Sequence, residues 1–334
     1  MTSPTTLPLA DPVLAERIAG RLDRVEERLR SAVEYADPLV DDVAHHLSNA
    51  GGKRLRPLLT LLAAELGDGA RDEVLDAAVV VELTHLASLY HDDVMDSAPM
   101  RRGAPAAHAV WGNNVAILVG DLLFARASTT VAHLGPEAVL IQAGTFERLC
   151  LGQLHESIGP GDDGDPVQHY LQVLADKTAS LIATSARLGA MYGGCAPDVV
   201  ETVAAFGERI GVAFQLADDV LDLASEGVVS GKTPGTDLRE GVPTMPVLLL
   251  RERAAAEGDP DDVALVARLD GDLSDDLVLA EVVTALSAHP VVHETRERAL
   301  TLVSEAVDLL APLPDGPVKD SFVSFADALV NRAS

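Results

Sequence analysis

The stretch from Asp72 to Asp96 constrains the fold more than any other part of the chain. Val74, Leu75, Ala78, Val79, Val81, Leu83, Leu86 and Leu89 leave it almost no polar face when wound at helical periodicity. A half-buried strand would alternate and a surface helix would keep a polar stripe, so this segment reads as a helix at the centre of a helical fold, stopping near Ala98-Pro99. The rest of the chain agrees. Leu14, Ile18, Leu22, Val25 and Leu29 fall on one stripe of a surface helix over about Pro12 to Ser48. Further helices are predicted over Lys53–Leu66, Asn113–Leu134, Pro136–Ser157, Val167–Met191 and Pro197–Leu223, each bounded by Gly, Pro or an acidic turn. Ser225 to Gly241 reads as a mobile loop. Four or more helices then run to Ser334, with breaks at Gly258-Asp259-Pro260, His289-Pro290 and Pro312 to Gly316. No repeat of solenoid period and no interdomain linker is present. The expectation is an all-α fold with one domain over residues 1–334, a helical bundle of a dozen or more helices around a central apolar cleft, preceded by a disordered 1–12.

Composition narrows the partners. Apolar residues make up 48 % and aromatics 3 %, with Ala, Leu and Val dominant, as an all-helical core requires. A net charge of −27, from 25 basic and 52 acidic residues, argues against nucleic acid and against a basic membrane-binding surface. No uninterrupted apolar run approaches the roughly 18 residues of a membrane span, and Met1 to Pro12 lacks the features of a signal peptide. Cys150 and Cys195 lack metal-ligand spacing and read as buried free thiols in a reducing, cytoplasmic setting.

Two acidic clusters stand out: Asp92-Asp93-Val94-Met95-Asp96 and Asp218-Asp219-Val220-Leu221-Asp222. In each, the first and last Asp are four apart and share one helix face. Both precede a helix break, so they sit at the negative end of the helix dipole, where stability alone would favour Lys or Arg. One such cluster is readily an exposed acidic helix end; two of identical spacing inside apolar helices call for a cation. Oxygen-only donors point to a hard ion such as Mg²⁺, shared with the oxygens of a phosphate-bearing substrate.

The sparse basic residues supply the matching half. Gly51-Gly52-Lys53-Arg54-Leu55-Arg56-Pro57 sets Lys53 and Arg56 beside flexible backbone at a helix start, suited to a diphosphate. Arg101-Arg102-Gly103 follows Asp96, and Lys177-Thr178 and Gly231-Lys232-Thr233 add cations beside hydroxyls. Each alone reads as a solvated basic residue; their co-occurrence with paired acidic clusters does not.

In this order and spacing, from about Gly51 to Met245, the sequence resembles the trans-polyprenyl diphosphate synthase family. The resemblance implies that Asp92, Asp96 and Asp218 are the principal Mg²⁺ ligands, supported by Asp93, Asp219 and Asp222, with three ions bound alongside substrate. It implies that Lys53, Arg56, His85 and Arg102 hold isopentenyl diphosphate, that Arg101, Lys177 and Lys232 hold the allylic diphosphate, and that Thr178 and Gln215 line the reacting centre. It also implies a homodimer, for which the apolar Val115 to Leu123 offers an interface. His85 and Gln215 on their own would read as core polar residues. The chain departs from the family at Val242, where a diphosphate-binding lysine is common.

The implied reaction ionises the allylic diphosphate and joins the cation to isopentenyl diphosphate, with water excluded. Product length is expected to follow the depth of the cleft below the first cluster, where Thr84, Ala87 and Ser88 are all small; the reading is a medium- or long-chain product, longer than farnesyl and of quinone side-chain length, unless Phe124 or Phe146 closes the tunnel. A geranylgeranyl diphosphate synthase is the alternative within the family. A terpene cyclase would carry a different second metal motif, and a non-catalytic partner subunit would show damaged Asp or Arg motifs.

Overall fold

The computed structural model describes residue 9 and residues 11–161, 164–224 and 234–330. Most of the Met1 to Pro12 lead-in, most of the Ser225 to Gly241 loop, and Lys232 with it, lie outside the described residues.

The chain is helical almost throughout. In order come α1 (Pro12–Ala32), α2 (Pro38–Asn49), α3 (Leu55–Ala64), α4 (Glu73–Met95), a hairpin of β1 (Met100–Arg101) and β2 (Ala104–Pro105), α5 (Ala107–Trp111), α6 (Asn113–Leu134), α7 (Pro136–Ile158) and α8 (Pro166–Leu174). A π-helical turn (Ala175–Ala179) leads to α9 (Ser180–Tyr192), α10 (Pro197–Ala224), α11 (Thr236–Arg239), α12 (Met245–Glu257), α13 (Pro260–Leu269), α14 (Asp276–Ser287), α15 (Pro290–Leu309) and α16 (Pro317–Val330). The all-α expectation holds. The chain divides into two compact units: one comprises the chain up to Arg148 with Ser180–Gly207 and Leu309–Phe325, the other Leu149–Ala179, Glu208–Asp308 and the residues from Ala326 onward.

In the first unit α4 is the buried centre. Val74, Leu75, Ala77, Ala78, Val80, Leu83, Leu86, Ala87 and Tyr90 are all sealed from solvent, and each Val or Leu so buried contributes about 1.5–3 kcal/mol. It packs on α6, α3 and α9, while α3 lies against α9 so closely that Gly189 and Gly193 face the backbone of Thr60 and Ala64 with no room for a Cβ. Buried Tyr90 ties α2 to α4: its hydroxyl donates to the Val43 carbonyl and accepts from the Leu47 amide at 3.3 Å. In the second unit, Asp262 on α13, 4 % exposed, accepts from Arg253 Nε of α12 at 2.8 Å and pairs with His289 Nε2 at 2.9 Å, just before α15.

Several boundaries differ from the sequence reading. The Pro12 to Ser48 stripe is two helices, because Pro38 opens α2 and Asp37 caps it through the amides of Leu39 (2.9 Å) and Val40 (3.2 Å). The Lys53 helix starts at Leu55, since Gly52 (φ 148°) and Arg54 (φ 46°) are not helical. Val167 to Met191 is interrupted by the π turn. The thiols are free, but Cys150 is exposed and Cys195 half-buried, so the expectation that both are buried fails. One helix among the described residues, α6, is long and apolar enough to cross a membrane, with 33 % of its most apolar window buried. Its exposed side carries Ile117 and Leu118.

Candidate active site

The cationic half of the site is built in the first unit, around the loop before α3 and the hairpin after α4. Arg102 (φ 53°) and Gly103 (φ 77°) are the central residues of a two-residue turn pairing Arg101 with Ala104, the left-handed geometry that suits a tight hairpin and that few residues other than glycine tolerate. The turn sends the two arginines different ways. Arg101 Nε reaches back to Asp93 Oδ1 at 2.6 Å. Arg102 Nη1 donates to the carbonyls of Leu47, at 3.2 Å, and Gly51, and its guanidinium lies flat against Gly52: a Cβ there would sit 2.9 Å from Cζ.

Arg54, not singled out from the sequence, organises this loop. It donates to Glu26 of α1, to the Ser48 carbonyl at 3.1 Å and to Glu82 of α4 at 2.7 Å. Glu82 is 2 % exposed, and as the one acid between Asp76 and Asp92, in the most apolar stretch of α4, it was the signal that a cationic partner lies beside it. Arg56 is different: its Nε is buried with no hydrogen-bond partner, and burial pulls its pKa down to about 10 despite Glu82. His85, on the same face of α4 as Glu82, is held neutral, its pKa driven well below the usual value by burial and then by the positive charge of Arg56, Arg102, Arg101 and Arg54. Four cations, a neutral imidazole and an unpartnered buried guanidinium nitrogen form a cradle with more positive charge than its two buried acids, Glu82 and Asp93, offset. Lys53 is exposed at its edge.

The acidic clusters divide in the same way. Asp92 is half-buried and Asp96 exposed, whereas Asp93, about 100° round the helix, is fully buried, bonded to Arg101 through one oxygen and unpartnered at the other. Burial raises its pKa, opposed by Arg101. In the second unit Asp218 and Asp222 are half-buried and Asp219 is enclosed. Both Asp219 oxygens lie 2.9 Å from the Tyr170 hydroxyl, one also takes the Met245 amide at 3.0 Å, and burial pushes the carboxyl up to about 8. Asp93 and Asp219, expected to support the metal, are thus turned into their own units. Asp222 keeps one face for its own loop, receiving the Asp237 amide at 3.4 Å. Tyr170 left no trace in the sequence.

Lys177 and Thr178 are half-buried in the π turn, and Lys177 Nζ is bonded to Glu156 of α7, another residue the sequence reading passed over. Gln215 is half-buried one turn before Asp219. Val242, the departure from the family pattern, lines a cavity of about 600 Å³ in the second unit with Glu156, Tyr170, Val173 and Leu248. Thr84 and Ala87 are sealed on α4, Thr84 with an unpartnered hydroxyl, and Ser88 bonds back to the His85 carbonyl at 2.9 Å. Phe124 and Phe146 stack with ring centroids 3.6 Å apart.

Among the described residues no three or more His, Cys, Asp or Glu side chains converge to hold an ion by themselves. A hard cation that keeps waters and takes further oxygens from a substrate phosphate asks fewer ligands of the protein than that. Helix-borne acidic pairs, a surplus cationic cradle and apolar surroundings define a helical enzyme for metal-assisted diphosphate chemistry. The chain belongs to the polyprenyl synthetase family, whose pattern it matches over residues 37–269, and it is a prenyltransferase. It is 45 % identical to nonaprenyl diphosphate synthase of Mycobacterium tuberculosis over 97 % of this chain and 96 % of that one. Among solved structures it resembles geranylgeranyl pyrophosphate synthase from Corynebacterium glutamicum complexed with calcium and isoprenyl diphosphate (TM-score 0.86, 40 % identity, 97 % and 99 % of the two chains). It also resembles a decaprenyl diphosphate synthase from Rhodobacter capsulatus (TM-score 0.85, 34 % identity, 96 % and 98 % covered).

Proposed function

We propose that this enzyme condenses isopentenyl diphosphate with an allylic diphosphate to make a medium- or long-chain polyprenyl diphosphate, longer than farnesyl and longer than geranylgeranyl. The observation that carries the reading is the cationic cradle, in which a buried guanidinium nitrogen of Arg56 has no partner beside Arg102 and His85. A buried guanidinium N–H left without a hydrogen bond is costly unless an acceptor completes it.

In this reading Lys53, Arg56, His85 and Arg102 bind isopentenyl diphosphate. His85 serves as a neutral hydrogen-bonding group, because burial, and then the surrounding guanidiniums, keep it from charging. Asp92 and Asp96 with Asp218 and Asp222 hold Mg²⁺, three ions with substrate present, and those ions supply charge neutralisation to the departing diphosphate. Lys177, oriented by Glu156, and Lys232 and Arg101 hold the allylic diphosphate, while Thr178 and Gln215 face the reacting carbon. Asp93 fixes Arg101, and Tyr170 fixes Asp219. The apolar helices that carry these groups keep water from the cation. The family pattern runs across both compact units, which supports reading them as one catalytic domain.

Small residues at 84, 87 and 88, together with the long-chain relatives, support a medium or long product; the Corynebacterium neighbour keeps a geranylgeranyl product as the second reading. The exposed apolar side chains of α6 and α7, Leu118 and Leu140 among them, support a homodimer buried through these helices rather than membrane insertion. The test is incubation of the purified protein with labelled isopentenyl diphosphate, Mg²⁺ and each short allylic diphosphate. A product ladder passing geranylgeranyl supports the reading; a stop at or below it overturns the length assignment, and no elongation with any primer overturns the function.

A further inference from the structure

Lys177 owes its place to a π-helical turn, Ala175–Ala179, that follows α8 directly. A π turn carries one residue more than an α turn, so it widens the helix and redirects the side chains that follow. A widened turn needs room, and two neighbouring helices give it at glycines. On α7, a Cβ at Gly152 would lie 2.6 Å from the Lys177 backbone nitrogen and 3.0 Å from its Cα and Cβ. On α10, a Cβ at Gly211 would lie 2.5 Å from Ala179 Cβ and 3.3 Å from its backbone nitrogen. Both glycines have helical φ, so neither is there for backbone freedom; each is a site of close approach.

The two contacts bracket the turn at its catalytic end, and α7 contributes twice. Gly152 admits the Lys177 backbone, and Glu156, one turn further on the same face, receives the Lys177 ammonium. Gln172, in the last turn of α8, donates to Asp176 of the π turn at 2.7 Å. Backbone position, side-chain direction and counter-charge of Lys177 are therefore fixed by a few named contacts.

We propose that Gly152 and Gly211 are positioning residues for the reaction, holding the π turn so that Lys177 and Thr178 face the allylic diphosphate. The inference rests on the proposed function, and its consequence is specific: crowding the turn impairs the allylic half of the reaction and spares the isopentenyl half, whose cradle belongs to the other unit. Gly207 supplies the control. Its Cβ would meet Ala183 Cα at 2.7 Å on α9, an equally tight contact that does not involve the π turn.

The experiment compares wild type with Gly152→Ala, Gly211→Ala and Gly207→Ala by thermal unfolding, by KM for each substrate and kcat, and by calorimetric binding of inorganic diphosphate with Mg²⁺. Gly152→Ala and Gly211→Ala are expected to raise the allylic KM or lower kcat about tenfold or more and to weaken diphosphate binding, leaving the isopentenyl KM within about twofold. Gly207→Ala is expected to lower stability without that split. Equal behaviour of all three variants overturns the proposal, and so does unfolding of both π-turn variants while Gly207→Ala folds, since the glycines would then serve stability alone. A wild type that elongates nothing defeats the functional reading instead.

Discussion

Replacing Gly52 by Ala tests the cationic cradle at its most crowded point. The added Cβ would stand 2.9 Å from Arg102 Cζ, 3.0 Å from Nη1 and 3.1 Å from Nη2, while ordinary contacts of this kind lie at about 3.5–4.0 Å. The guanidinium must retreat by roughly 0.5–1 Å, because Gly52 itself, at φ 148°, is strained by any side chain and has little freedom to yield. That retreat loosens the bonds from Arg102 Nη1 to Leu47 and Gly51 that aim it. A hydrogen bond to a charged group is worth about 1.5–3 kcal/mol, so the isopentenyl KM should rise roughly ten- to hundredfold. The allylic KM should change little. Initial rates with either substrate varied, alongside thermal unfolding, give the answer. An isopentenyl KM within twofold of wild type in a folded variant, or an equal rise in both KM values, would refute the assignment of Arg102.

Other outcomes follow from the same geometry. Asp92→Ala and Asp218→Ala should each lower kcat by about a hundredfold or more while shifting unfolding by no more than about 0.5 kcal/mol, since each removes a carboxylate from a like-charged cluster; loss of the fold without metal would count against the metal assignment. His85 has a depressed folded pKa, so below the usual histidine value the unfolded chain takes up a proton that the folded chain refuses. Its contribution to stability is complete above about pH 6.5 and is lost as pH falls below it, with a slope of about 1.4 kcal/mol per pH unit for one proton. His85→Asn should flatten that acid limb in denaturant titrations, and an unchanged limb would mean the histidine charges freely. Ala87→Phe fills a sealed position on α4, costing about 1–3 kcal/mol, and should shorten the product by at least one isoprene unit on sizing of labelled products; an unchanged ladder would move the floor elsewhere, with the Phe124–Phe146 stack the next site to truncate.

Much of this protein was legible in its sequence, because the signals were local. A segment apolar almost all round, from Asp72 to Asp96, reads as a central helix, and Asp residues four apart on a helix necessarily share a face. Spacing alone thus paired Asp92 with Asp96 and Asp218 with Asp222, and the order of motifs identified the family. What spacing could not say is what lies across from each face. Asp93 and Asp219 look like their neighbours in sequence, yet tertiary packing brings Arg101 to one and Tyr170 and the Met245 amide to the other, and buries both carboxylates. The cradle likewise depends on Arg54 meeting Glu82 and on Arg102 lying over Gly52, and the aim of Lys177 depends on a π turn admitted by glycines on two other helices. Helical periodicity is set within a few residues of chain, so the sequence determined the elements and the chemistry they carry; hydrogen-bond partners and close approaches join segments far apart in sequence, so only the tertiary structure decided which carboxylates of each cluster are buried against partners and which cations gather around His85.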